Sequence, residues 1–66
     1  MTITINDKPV NLQDGATLLQ ALEAERIYPV GIATAVNNAV VPRDNRATHT
    51  LHQGDKIIII KAFYGG

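Results

Sequence analysis

Hydrophobic and polar residues alternate at the start of the chain, as they do in a strand with one buried face. In residues 2–6 (TITIN), Ile3 and Ile5 fall on one side and the threonines fall on the other. The turn-forming residues 6–9 (NDKP) separate this run from residues 10–13 (VNLQ), which alternate again. The pattern predicts an N-terminal β-hairpin.

The hydrophobic period becomes helical in residues 17–26 (TLLQALEAER), where the leucines share one stripe and most residues are strong helix formers. Thr17 and Gln20 have the spacing of a capping box, in which each side chain bonds the backbone of the other. Pro29 disfavours helix at the residue before it, so we expect the helix to stop there.

Three further strands are predicted after the helix, at residues 32–37 (IATAVN), 40–41 (VV) and 56–63 (KIIIIKAF). Asparagine tolerates the left-handed backbone region, so residues 37–39 (NNA) indicate a tight turn between the first two of them. Residues 42–53 are polar and irregular and have room for one helical turn.

The predicted order is therefore β-β-α-β-β-β, an α+β fold in which one main helix packs on one face of a mixed sheet of about five strands. The last strand is the most apolar, so we expect it in the middle of the sheet, parallel to the first strand. This arrangement is the β-grasp, or ubiquitin-like, fold. No linker or repeat divides the chain, so we expect residues 1–66 to form a single domain.

The two faces of the last strand have different predicted roles. Strand residues alternate faces, and we assign Ile57 and Ile59 to the core because their row continues to a lysine that can reach solvent. The other row, Ile58, Ile60 and Ala62, forms an unbroken apolar stripe toward the C-terminus. One short helix covers only one face of a sheet, so we expect this stripe to be exposed and to dock a partner.

Composition excludes several classes of protein. Six basic residues balance six acidic ones, which argues against nucleic acid as a partner, and the absence of cysteine is compatible with a reducing compartment.

No run is long enough to span a membrane and no signal peptide is apparent, so we expect a cytoplasmic protein that is a monomer when free. We also expect the chain to be complete, with Gly66 as its natural end.

Few residues suggest catalysis or metal binding. His49 and His52 could pair on a metal in a helix, but they fall in a predicted loop without a cysteine or a carboxylate pattern. Glu23 and Glu25 are two positions apart and do not share a helix face. Arg43 is either an exposed charge or a contact for an acidic partner surface. No nucleophile–base pair is apparent, so we expect no catalytic residue, bound metal or cofactor in this chain.

The chain ends on residues 61–66 (KAFYGG), although glycine weakens a strand and orders at an entropic cost. Together with residues 14–22 (DGATLLQAL), 35–43 (AVNNAVVPR) and 54–55 (GD), this ending resembles the ThiS family, the sulfur carriers of thiamine biosynthesis. The resemblance extends over essentially the whole length of the chain.

The resemblance implies that a ubiquitin-activating-like partner of the ThiF type adenylates the Gly66 carboxylate with ATP. A persulfide donor then supplies sulfur to form a thiocarboxylate, which thiazole synthase uses. Phe63, Tyr64 and Gly65 would thread the partner's active site, and Tyr64 stands where small residues are common in the family.

The residues themselves favour this chemistry, because an unbranched terminal glycine is the least hindered acyl group and two glycines, residues 65–66, make a thin flexible tail. Other acceptors remain open, namely molybdopterin and transfer RNA thiolation. A ubiquitin-like modifier joined through Gly66 to lysines would use the same activated end. A plain β-grasp interaction module is the remaining alternative.

Overall fold

The computed structural model describes residues 1–61, whose strands form one mixed sheet in the order β2-β1-β5-β3-β4. The strands are β1 (Thr2–Ile5), β2 (Lys8–Asn11), β3 (Ile32–Val36), β4 (Ala39–Val41) and β5 (Lys56–Lys61). Helix α1 (Leu18–Ala24) follows the first hairpin, and a 3₁₀ helix (Arg43–Asn45) follows β4. Central strands β1 and β5 are parallel, and the other neighbouring strands are antiparallel. The predicted β-grasp order is confirmed.

The first hairpin turns earlier than the sequence pattern predicts. Asn6 and Asp7 have φ values of 48° and 68°, so the turn holds only these two residues and β2 begins at Lys8. Pro9, expected to lie in the turn, pairs with Thr4 inside the strand. A proline is tolerated here because β2 is an edge strand and its outer side needs no ladder hydrogen bond.

The predicted capping box begins the helix. The Thr17 side chain accepts a hydrogen bond from the Gln20 N–H at 3.3 Å, and the Gln20 side chain accepts one from the Thr17 N–H at 2.8 Å. These bonds satisfy backbone donors that the first turn of a helix leaves without a partner.

The helix ends before the proline that was expected to stop it. Arg26 takes the left-handed conformation with φ 56°, the position at which glycine is most common after a helix. The N–H groups of Arg26 and Ile27 then donate to the carbonyls of Glu23 and Leu22 at 3.1 and 2.9 Å. This pair of bonds is a Schellman motif, which the helical period alone did not predict.

The core lies between α1 and one face of the sheet. Its buried residues come from every strand, from the helix and from the loop before β5: Ile3, Ile5, Val10, Leu18, Ala21, Val36, Val41, Leu51 and Ile57. Ile57 is 0% exposed and Ile59 packs against this cluster, so the predicted core face of the last strand is confirmed.

Candidate functional site

The predicted reactive end lies outside the described residues. This applies to Gly66, to the three residues expected to thread the partner (Phe63, Tyr64 and Gly65), to the predicted flexibility of residues 65–66, and to Ala62 of the apolar stripe. Strand β5 carries the chain to Lys61, immediately before this C-terminal segment, residues 62–66. Within residues 1–61, the surfaces around β5 are therefore the candidate site.

The sheet face opposite the helix carries exposed apolar side chains. Ile60 is 62% exposed and pairs with Ala33, while half-buried Ile58 pairs with Ala35. Ala35 also pairs with Val40 of β4, which is 77% exposed. Paired residues share a face, so these five side chains form one cluster, named here the open-face patch.

The open-face patch contains two residues that the sequence predicted and three that it did not. Ile58 and Ile60 lie on the expected face, next to the C-terminal segment. The exposure of Val40 was not predicted, because alternation in a strand of two valines does not show which valine faces the core. Its outward direction follows from its pairing with Ala35. A docking role for the patch stays a prediction.

Arg43 begins the 3₁₀ helix, shortly beyond Val40, and its side chain is exposed. Its position lies past the end of edge strand β4, whereas the isoleucines of the patch lie on central strand β5. Its predicted contact with an acidic partner surface also stays a prediction.

A buried arginine organises the loop that follows the helix. Arg46 is 3% exposed, and its Nε–H donates to the Thr34 hydroxyl at 3.1 Å. Its two terminal nitrogens donate to the carbonyls of Pro29 and Ile32, each at 2.9 Å. The guanidinium therefore joins β3 to the loop before it, a role that the hydrophobic pattern of the sequence does not predict.

Two asparagines bind the backbone of β5. Asn6 bonds both the N–H and the carbonyl of Ile59 through its side chain, at 2.8 and 3.2 Å. Asn37 accepts a bond from the Lys56 N–H at 2.9 Å through its side-chain oxygen. Each asparagine is the first residue of a two-residue hairpin turn, with φ 48° and 50° respectively. The two hairpin turns therefore hydrogen-bond β5 at different points, Asn37 at Lys56 and Asn6 at Ile59.

A groove of about 460 Å³ lies beside the last residue of β5. Its walls include Ile27, Tyr28 and Val30 from the loop after the helix, together with Lys61. Tyr28 and Val30 are exposed, so the end of β5 has apolar side chains near it besides those of the open-face patch.

His52 lies beside a carboxylate, and neither histidine belongs to a group of three metal-ligating side chains within residues 1–61. His52 Nδ1 lies 4.0 Å from Asp55 Oδ2, and the other partners of this carboxylate are the His52 N–H and the Asn37 amide. Residues 1–61 contain no cluster of three side chains suited to a metal ion. In the same range, no helix is long and apolar enough to cross a membrane.

The fold and the open-face patch define a small β-grasp protein with an exposed apolar surface near its C-terminal segment. The ThiS family model matches residues 2–66, and the chain belongs to that family. A curated relative, Sulfur carrier protein ThiS of Escherichia coli K12, is 33% identical over 66 residues, which is the full length of both chains.

Solved structures share the fold. The crystal structure of thiamine biosynthesis protein ThiS from Geobacter metallireducens superposes with a TM-score of 0.81 at 23% identity, covering 100% of this chain and 99% of that one. A solution structure of a thiamine biosynthesis protein from the same organism gives 0.76 at 23% identity, with coverage of 100% and 88%. At this identity the likeness establishes the β-grasp fold alone.

Proposed function

We propose that this protein is a sulfur carrier for thiazole formation in thiamine biosynthesis, with the sulfur held on the Gly66 carboxyl group. The observation that carries the proposal is the family match, which runs through the final glycine pair. The curated relative of equal length is named a sulfur carrier, which supports the same role.

The proposed chemistry has four steps. First, a carboxylate oxygen of Gly66 attacks the α-phosphorus of ATP in a ThiF-type partner, and pyrophosphate leaves. Second, the terminal sulfur of a protein persulfide attacks the acyl carbon, and AMP leaves. A thiol of a partner protein then attacks the donor's sulfur in the resulting acyl disulfide. This releases the thiocarboxylate and leaves a disulfide between the attacking thiol and the donor's cysteine. Thiazole synthase receives the sulfur from this thiocarboxylate.

The chain acts in this scheme as a substrate with a docking surface. Activation of the carboxylate, delivery of sulfur and cleavage of the acyl disulfide all belong to partner proteins. The open-face patch suits the docking role, because contiguous exposed apolar surface on a small domain commonly marks an interaction site. Docking there would hold β5 against the partner and place the C-terminal segment near its active site.

An exchange assay tests the adenylation stage. Adenylation is reversible, so labelled pyrophosphate should enter ATP when the ThiF-type partner and this chain are mixed. The matched control is the same chain with its terminal carboxylate blocked as an amide, which should give no exchange. Equal exchange with the blocked chain, or none with the native chain, would overturn the proposal.

A reconstitution assay tests the acceptor. Thiocarboxylated chain mixed with thiazole synthase and its substrates should yield the thiazole with consumption of the thiocarboxylate. A thiocarboxylate that persists in this mixture would exclude the thiamine route.

A further inference from the structure

Strand β5 extends beyond the backbone of its parallel neighbour. The last paired residue of β1 is Ile5, which lies opposite Ile57, and the chain then turns away. On its other side β5 stays paired with β3 as far as Lys61, opposite Ile32. From Ile58 onward, the side of β5 that faces β1 has no strand beside it within residues 1–61.

The Asn6 side chain takes the place of that missing strand. Its Oδ1 accepts from the Ile59 N–H at 2.8 Å and its Nδ2 donates to the Ile59 carbonyl at 3.2 Å. The Asn6 backbone N–H also donates to the Ile57 carbonyl at 2.9 Å. A carboxamide has the same donor and acceptor as a peptide unit, so the pairing of β5 continues two residues further than the backbone of β1 allows.

This position favours asparagine on two separate grounds. The turn needs a residue that tolerates a positive φ, which glycine, aspartate and asparagine all do. Pairing with both groups of Ile59 needs a donor and an acceptor on a short side chain. Glycine supplies neither group and aspartate supplies only the acceptor. Substitution by either residue can therefore keep the turn while removing some or all of the side-chain bonds to Ile59.

We propose that Asn6 is a positioning residue for the reaction at the C-terminus, because its side chain holds the β1 side of β5 at Ile59, two residues before Lys61. The inference rests on the proposed function, since it assigns Asn6 a part in the adenylation of Gly66. Among residues 1–61, the two Asn6 side-chain bonds are the last hydrogen bonds on the β1 side of β5, and Ile60 of the open-face patch directly follows Ile59. Asn6 therefore fixes the backbone of β5 at Ile59 relative to the open-face patch, the surface proposed to dock the partner.

Loss of the Asn6 side chain is expected to lower turnover without weakening binding of the partner. The open-face patch contacts the partner whether or not Ile59 is held, so KM should change little. Placement of the acyl group depends on the direction of β5, and small misplacements of a reacting group are costly to rate. Removal of the Asn6 side chain should therefore lower kcat for adenylation about tenfold and leave KM within about twofold.

The experiment compares Asn6→Gly with Asn37→Gly in pyrophosphate exchange with the ThiF-type partner. Asn37 is the matched control, because it occupies the same turn position in the other hairpin and its side chain bonds β5 at Lys56 instead of Ile59. Hydrogen exchange of the Ile59 and Lys56 amides shows, without any partner, which end of β5 each variant releases. Asn6→Asp, which keeps the turn and the acceptor, serves as the second Asn6 variant if the glycine variant does not fold.

We expect Asn6→Gly to show faster hydrogen exchange at the Ile59 amide and a lower kcat. Asn37→Gly should show faster hydrogen exchange at the Lys56 amide and an unchanged kcat. Asn6→Asp should lower kcat less than Asn6→Gly does. Equal kcat values for the Asn6 and Asn37 variants would overturn the positioning role, because both remove side-chain bonds to the same strand. The same is true if the loss in the Asn6 variants lies in KM. Absence of turnover with the native chain would overturn the proposed function itself, which is a different outcome.

Discussion

The Arg46 guanidinium donates to the buried Thr34 hydroxyl at 3.1 Å, and that hydroxyl donates in turn to the Val41 carbonyl at 2.9 Å. The arginine thereby joins β3, β4 and the loop before β3 through oxygen acceptors that carry no net charge. A buried charge is costly unless it is hydrogen-bonded, and each terminal nitrogen of the guanidinium donates one bond, to the carbonyl of Pro29 or of Ile32.

Replacement of Arg46 should therefore destabilise the domain strongly. Arg46→Met keeps much of the side-chain volume but removes a buried bond to Thr34 and two part-buried bonds to carbonyls, and an acceptor left without a donor in a buried site costs about 1–3 kcal/mol. We expect a fall of at least about 2 kcal/mol in the free energy of unfolding, measured by urea denaturation. Arg43→Met is the control, since Arg43 is exposed in the adjoining 3₁₀ helix and should change stability by about 0.5 kcal/mol or less. Equal effects of the two substitutions would refute the structural role of Arg46.

The two faces of β5 should respond differently to the same substitution. Ile57→Ala removes a side chain that is 0% exposed and should cost about 2–5 kcal/mol, enough to unfold much of a domain this small. Ile60→Ala changes a side chain on the opposite face and should stay within about 0.5 kcal/mol of the native protein. Thermal and urea unfolding of both variants measure this difference. A larger loss from Ile60→Ala would reverse the assignment of faces.

The open-face patch should bind the ThiF-type partner. Val40→Ser should weaken the complex, measured by titration calorimetry, because it removes an apolar side chain from the patch without disturbing the core. Val30→Ser is the matched control, since Val30 is also exposed but lies in the loop after the helix. The double substitution Ile58→Ser with Ile60→Ser should weaken binding further while the fold remains. Equal affinities for the two valine variants would show that the patch is not the docking surface.

Strand order and the core face of β5 follow from patterns in the sequence. The run of four isoleucines indicated a central strand, and alternation assigned Ile57 and Ile59 to one face once the lysine had fixed which row reaches solvent. The hairpin turns at residues 6–7 and 37–38 were harder to place. Turn propensity indicates the region of a turn but not which two residues in it adopt a positive φ. For that reason the second strand was predicted too late.

The Arg46 contacts and the outward direction of Val40 could not be predicted in the same way. Arg46 is bound by oxygens from Pro29, Ile32 and Thr34, and hydrophobic periodicity carries no information about such contacts. The direction of Val40 is set by its pairing with Ala35, which is a tertiary relationship. The same holds for the Asn6 bonds to Ile59, which join residues far apart in the chain.

Intact mass spectrometry can show whether Gly66 carries sulfur, as proposed. The native chain is incubated with the ThiF-type partner, ATP, a persulfide donor and a thiol, beside a chain extended by one alanine after Gly66. We expect the native chain to exchange one oxygen for one sulfur at its C-terminal residue, while the extended chain gains no sulfur at Gly66. A native chain without sulfur, or equal sulfur at Gly66 in both chains, would contradict the proposal.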